Sequence, residues 1–350
     1  MRKISFKSDY PQHLFIHPSR IAGQGFSLGE FLRFRETLFL RGTTELKKLI
    51  RTKTLVSALF ATLVISNAIV FTTPANAASK YPLVITSADF QAKISNKPAR
   101  IISLSPTATE ILFAIGASKQ VLAVDDNSNY PLNVPKSQLS GFTPNVEAIV
   151  ALKPDLVVLQ IDSAKSKSVR DSLTKLGIPV VMEKSASKIS DTYNEIELLG
   201  KVTDRSSAAK TLTTSMKKRI TKILLASSKK EKYRFFHELD NTLYSATSKT
   251  FIGNVYKDFG LTNVADAASS TDSAGYPQLN AEYLIKSNPQ IIFLADAQYG
   301  ETSATVKARQ GWQGLDAVIN SKIVELPADI PSRWGPRIVD FYEIVAKAIK

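Results

Sequence analysis

With 350 residues, 44% of them hydrophobic and 22% charged, the chain is long enough for two α/β domains and too apolar to be disordered or fibrous. The net charge is +14, but half of the excess lies in residues 1–77, so the mildly basic remainder asks for solvated lysines and no nucleic-acid partner. Cysteine is absent, which excludes disulfides, thiolate metal sites, a cysteine nucleophile and a lipid-modified cysteine after a leader.

Residues 1–46 form an upstream extension that reads as an upstream start assigned in error, with a real cytoplasmic extension as the alternative. Gly23, Gly25 and Gly29 do not make a nucleotide loop: no strand precedes them and the third glycine comes one place late. Residues 47–77 read as a signal peptide. Lys47, Lys48, Arg51 and Lys53 precede an apolar run from Leu55 to Val70, and Ala75 and Ala77 supply the small residues for cleavage after Ala77. The run is short for a membrane anchor and is broken by Ser57, Thr62, Ser66 and Asn67, so the cleaved leader is preferred.

Strands and helices alternate from Pro98 onward. Arg100–Leu104 reads as a buried strand, followed by a helix that Ser105 caps, Pro106 opens and Gly116 closes. Strands are expected at Val121–Val124, at Leu156–Ile161 and at Pro179–Met182, with a helix from Ala164 to Leu176 ended by Gly177. Such β–α units imply parallel sheets covered by helices. About forty residues from Ser187 to Ser228 hold no strand pattern but two helical ones. The second starts after a break at Thr203-Asp204, with Asp204 as its expected N-cap, and is long enough to bridge two lobes. Alternation then resumes with strands at Tyr233–Glu238, Ile291–Leu294 and Ile323–Leu326 and a last helix from about Pro336. The expected division is an amino-terminal α/β lobe over 78–186, connecting helices over 187–228 and a carboxyl-terminal α/β lobe over 229–350.

A repeat supports the two-lobed reading. The run Asn145-Val-Glu147 to Pro154 and Leu159 aligns without gaps on Asn280-Ala-Glu282 to Pro289 and Leu294. Each copy is an Asn-capped helix, a proline that stops it and a buried strand.

Chemistry is sparse. There is no P-loop, no G-x-S-x-G and no H-E-x-x-H, and His237 is the one histidine beyond the leader. An enzyme is therefore not expected, no residue is given a catalytic role, and neither cofactor nor directly bound metal is called for. His237 falls at the carboxyl end of a strand, the edge where open α/β sheets place ligands. Tyr130, Phe142, Tyr244, Tyr276, Asp329, Arg333 and Trp334 fall in or beside connections, where aromatic faces and guanidinium groups suit a large, flat, partly anionic solute. Glu147 and Glu282 occupy equivalent places in the repeat. Either the helix dipole explains both, or they are paired acids that meet arginines of a partner.

The segments Arg100-Ile-Ile-Ser-Leu-Ser-Pro with Thr109-Glu110, Val146 to Val157, Phe251-Ile-Gly-Asn, Gln278-Leu-Asn-Ala-Glu282 and Gly335-Pro-Arg337 together resemble the periplasmic binding proteins for cobalamin and ferric siderophores, whose lobes are joined by a long helix. The resemblance spans Arg100 to Ile349. It implies two Rossmann-like lobes, export to the periplasm or the outer membrane face, and an ABC importer permease as partner. The protein is expected to be a monomer. The resemblance implies that Tyr130, Phe142, Tyr276 and the Asp329–Trp334 loop line the cleft, with His237 and Tyr244 as further candidates, and that Glu147 and Glu282 dock the permease. Phe142 and Tyr276 stand where cobalamin-binding members commonly have tryptophan. The expected solutes are a ferric siderophore first, cobalamin next and haem third. An exported hydrolase on a two-lobed fold is the reading from another class.

Overall fold

The computed structural model describes residues 80–161, 164–227, 232–268, 274–327 and 329–350. The upstream extension and the leader lie outside the described residues. The described chain belongs to one compact unit, Asn76–Lys350.

The strands are β1 (Leu83–Ser87), β2 (Phe90–Ile94), β3 (Ile101–Leu104), β4 (Val121–Asp125), β5 (Lys136–Leu139), β6 (Leu156–Gln160), β7 (Val180–Glu183), β8 (Arg234–Glu238), β9 (Thr262–Asn263), β10 (Ile291–Leu294) and β11 (Ile323–Glu325). The helices are α1 (Pro106–Ala114), α2 (Val146–Ala151), α3 (Ala164–Lys175), α4 (Ile189–Val202), α5 (Ser206–Ser227), α6 (Phe251–Asp258), α7 (Ala281–Ser287), α8 (Ser303–Ala308), α9 (Asp316–Ile319) and α10 (Ile338–Ala348). A five-stranded parallel sheet in the order β5-β4-β3-β6-β7 makes the amino-terminal lobe, and a four-stranded parallel sheet in the order β11-β10-β8-β9 makes the carboxyl-terminal lobe. The antiparallel β1–β2 hairpin, two five-residue strands ahead of the first expected β–α unit, was not expected from the sequence.

Strand alternation distributes the core. In β3, Ile101 points into a core shared with the connecting helices, while Ile102 and Leu104 point into the lobe's outer core with Leu159 and Leu173. In β8, Phe235 enters the same shared core and Phe236 joins Trp312 and Leu294 on the outer side. The shared core also takes Ile196 and Leu199 of α4, Met216 and Ile220 of α5 and Phe341 of α10. Both lobes are therefore welded to one apolar body of connecting helices. The 22 residues of α5 span ~33 Å at the α-helical rise. At the α4–α5 corner Gly200 allows close approach, since a Cβ there would lie 2.4 Å from Ala209 Cβ.

The caps of the repeat form as its sequence requires. Asn145 Oδ1 accepts from Ala148 N at 3.0 Å and Asn280 Oδ1 from Tyr283 N at 2.8 Å. Asp204 does not cap α5. It takes a left-handed backbone with φ of 59° two residues ahead of the helix, and its carboxylate receives Lys80 Nζ at 2.7 Å and Lys97 Nζ at 3.1 Å.

Candidate functional site

The carboxyl ends of β3, β4 and β6 open on a cavity of about 190 Å³ between the lobes. Leu104, Asp125 and Gln160 reach it from the strand ends, Pro106 and Thr107 from the start of α1, and Gly141 and Phe142 from the loop after β5. Ser332, Arg333 and Trp334 close it from the carboxyl-terminal lobe. This is the crevice that parallel α/β sheets leave at the ends of their strands.

Beside the cavity, a charged network joins the lobes. Glu110 on α1 is buried and accepts Arg333 Nη1 at 3.0 Å and Arg337 Nε at 2.9 Å, with a second bond from Arg337 Nη2. Arg333 also donates to Asn129 Oδ1 at 2.7 Å and to the Asn127 carbonyl at 3.1 Å, and it pairs with Asp329 at 3.1 Å. Asn129 Nδ2 in turn donates to Asp329 Oδ2 at 3.0 Å. Arg337 lies over the Tyr130 ring, 4.2 Å from its centroid, and its hydrogen bond to Glu110 holds the guanidinium above its ordinary pKa. Both arginines are thus engaged by the protein itself. Arg333 reaches the cavity with both of its Nη atoms already bonded to the protein.

Asp125 is the polar group of the cavity that the sequence reading missed. Its Oδ1 accepts the backbone N–H of Asn127 at 2.8 Å and of Ser128 at 2.7 Å, and its Oδ2 has no hydrogen-bond partner. Burial raises its pKa to about 6 against the lowering effect of those two N–H groups. The available signal was its place at the end of β4, where the expected strand stopped one residue short.

The other expected site residues separate. Phe142, Arg333 and Trp334 line the cavity, with Phe142 strongly exposed at 70% and Trp334 edge-on to Phe251 at 6.3 Å. Asp329 acts through its bonds to Arg333 and Asn129. Tyr130 turns to a different groove, lined by Leu212 and Met216 of α5 with Arg337, so it is not part of the cavity wall. Tyr244 and Tyr276 are half-exposed on the carboxyl-terminal lobe, outside that wall, where Tyr244 bridges Gln278. His237 is a correction. It has no exposed surface, its Nδ1 meets Tyr256 Oη at 2.9 Å, and burial pushes its pKa down to about 3. It is a neutral core residue, because β8 puts that position in the interior. Its neighbour Glu238 is also fully buried and is held by both Nη atoms of Arg309.

Glu147 and Glu282 stand exposed in the first turns of α2 and α7. Among the described residues no group of three or more His, Cys, Asp or Glu could hold a metal ion. Among them also, no helix is long and apolar enough to cross a membrane.

Residues 101–330 match the periplasmic binding protein family. The uncharacterized ABC transporter substrate-binding lipoprotein YvrC of Bacillus subtilis is 31% identical over 279 residues, covering 77% of this chain and 86% of that protein. A cobalamin-binding protein of Halobacterium salinarum is 28% identical over 307 residues, 80% of this chain and 82% of that one. The solved structure of a periplasmic vitamin B12 binding protein of Vibrio cholerae superposes with a TM-score of 0.59 at 25% identity, covering 72% of this chain and 97% of that one. A cleft between two parallel sheets agrees with these relatives. The chain belongs to the periplasmic binding protein family, as an ABC transporter substrate-binding protein and not an enzyme.

Proposed function

We propose that this protein captures a corrinoid between its lobes and delivers it to an ABC importer. The observation that carries the choice of solute is the commitment of Arg333 and Arg337 to Glu110. A triscatecholate iron chelate or a haem carries negative charge that the cleft would have to balance, and Arg333 was the cation expected to do it. A corrinoid ringed by neutral amide arms needs hydrogen-bonding groups and apolar faces instead. The cavity offers these in Asp125, Asn127, Gln160, Phe142 and Trp334. Homologues that bind cobalamin support the same reading.

Export accompanies this function, and the lipoprotein and periplasmic relatives support it. The shared core around α4 and α5 limits how far the lobes move, so capture relies on a preformed cleft more than on hinged closure. Glu147 and Glu282, one on each lobe, dock the permease by pairing with its arginines. Titration calorimetry with cyanocobalamin, ferrioxamine B, ferric enterobactin and haemin tests the ranking. Cyanocobalamin binding in the micromolar range or tighter is expected. Tight binding of the anionic catecholate complex with none of cyanocobalamin would overturn the proposal.

A further inference from the structure

The connecting helix α5 carries charge of one sign. Between Ser206 and Ser227 it has five Lys or Arg residues and no Asp or Glu. A solvated helix is ordinarily steadied by acid–base pairs at i,i+4, and like charges at that spacing repel. Lys218 and Lys222 stand at that spacing, both exposed. Leu225 follows three residues later on the same helical face and is 70% exposed. Two lysines and a large apolar side chain thus share one outward ridge.

Alongside the ridge, α5 and α10 line a groove of about 460 Å³. Its apolar lining includes Ile223 and Ala226 of α5 and Ala346 of α10, while Lys222 reaches it from one helix and Lys347 from the other. Arg219 is held by Glu343 at 2.7 Å and by Asp340 at 3.5 Å. Set against those two acids, Arg219, Lys218, Lys222 and Lys347 leave the face with a net positive charge. An anionic partner would relieve the repulsion along the ridge. A small soluble anion would leave Leu225 in water. A surface of anionic phospholipid takes both, with the ammonium groups at the phosphates and the apolar side chain at the acyl boundary.

We propose that this face of α5 and α10 docks the protein reversibly on anionic phospholipid, with Lys218, Lys222 and Lys347 at the phosphates and Leu225 in the interface. These residues lie apart from the cavity wall and from Glu147 and Glu282 on α2 and α7, so the docking is independent of which solute is carried. Each lysine near such a surface contributes about fivefold in affinity, which makes the hold weak and sensitive to salt.

Co-sedimentation with vesicles tests this on the compact unit Asn76–Lys350, free of the leader. The protein should sediment with phosphatidylglycerol vesicles and not with phosphatidylcholine vesicles. Salt at about 1 M, where charges are screened beyond ~3 Å, should release most of it. Lys222→Gln combined with Lys347→Gln should lower the partition coefficient about 25-fold, at fivefold per lysine. Lys167→Gln combined with Lys175→Gln removes the same charge from exposed positions on α3 of the amino-terminal lobe and should change it little. Leu225→Ser should weaken binding at unchanged charge. Equal losses in the two double variants would reduce the binding to the overall charge of the protein. Unweakened binding by Leu225→Ser would make the face a site for any polyanion, and failure to sediment with phosphatidylglycerol would leave no site. Each of these results overturns the lipid assignment.

Discussion

Glu110 and Arg337 stand 227 residues apart in sequence and face each other as a bidentate pair, with Arg337 donating through Nε to Oε2 at 2.9 Å and through Nη2 to Oε1. Arg333 adds a third bond to the same carboxylate at 3.0 Å, and the Glu110 side chain is 1% exposed. One buried acid on the amino-terminal lobe thus binds two arginines from the segment that precedes α10, and Asp329 supplies the second negative charge.

Removing that acid takes the paired carboxylate from Arg337 and leaves Arg333 with Asp329 alone, both guanidinium groups being partly buried. Breaking one partner out of a buried ion network typically costs about 3–5 kcal/mol, more than the net worth of forming it. Glu110→Gln keeps the shape and one acceptor, so the lower end, ~3 kcal/mol, is expected in urea denaturation followed by circular dichroism. A loss below ~1 kcal/mol would show that the arginines find water or another acid, and the lobes would not depend on this contact.

The network also shows where sequence reading stopped. The segments containing Glu110 and Arg337 both stood out, but nothing in local spacing joins residues 227 apart, so Arg333 was read as a solute contact. Local signals fared better. The Ser105 cap, the glycine at 116 with φ of 75° and the Asn145 and Asn280 caps are decided within four residues, and they form. Which way a loop aromatic faces is decided by distant packing. Phe142 and Tyr130 looked alike in sequence, yet one lines the cavity and the other carries Arg337 beside α5. Asp125 was hidden by an assumed strand end one residue too early.

His237 makes a pH prediction. Its folded pKa of about 3 lies below the ~6.5 of an unfolded histidine. Below pH ~6.5 the unfolded chain takes up a proton that the native chain refuses, so stability falls as pH falls toward 3. Between pH 7 and 5 this amounts to about 2 kcal/mol at ~1.36 kcal/mol per pH unit. Glu238, raised to about 7 by burial, acts in the opposite direction, and its contribution cancels when wild type is compared with a variant. His237→Phe should flatten the acid limb by that amount in denaturation at the two pH values. Equal slopes in the two proteins would mean that His237 is protonated in the native state.

A glycine in α6 makes a purely steric prediction. A Cβ at position 253 would lie 2.0 Å from the Thr247 carbonyl oxygen and 2.6 Å from its carbon. Both are backbone atoms, and that carbonyl also receives Thr250 N at 3.0 Å and Thr250 Oγ1 at 2.8 Å, so it has no free direction to move. Gly253→Ala should therefore cost at least about 2 kcal/mol, in the range of overpacked cores. Gly314→Ala, where the added carbon meets nothing within 4 Å, is the matched control and should change little. Thermal melts of the two variants compare them directly, and equal melting temperatures would show that the 247–250 turn yields.

The last prediction concerns the paired acids of the repeat. Glu147 and Glu282 occupy the first turns of α2 and α7, the helices that Asn145 and Asn280 cap in the same way on the two lobes. Both are exposed, and neither lines the cavity described above. If their work is done at the permease, Glu147→Ala and Glu282→Ala should leave cyanocobalamin affinity unchanged and reduce uptake into membrane vesicles that contain the importer. The double variant should be worse than either single one. Lysine at both positions should be worse still, because like charges facing arginines repel as well as fail to pair. A role confined to the helix dipole makes a different forecast. Each acid would then contribute ~0.3–1 kcal/mol of stability, and the double variant would melt slightly earlier and transport normally. Measuring uptake, affinity and melting on the same set of variants separates the two accounts, and full transport by the double lysine variant would rule out docking through these residues.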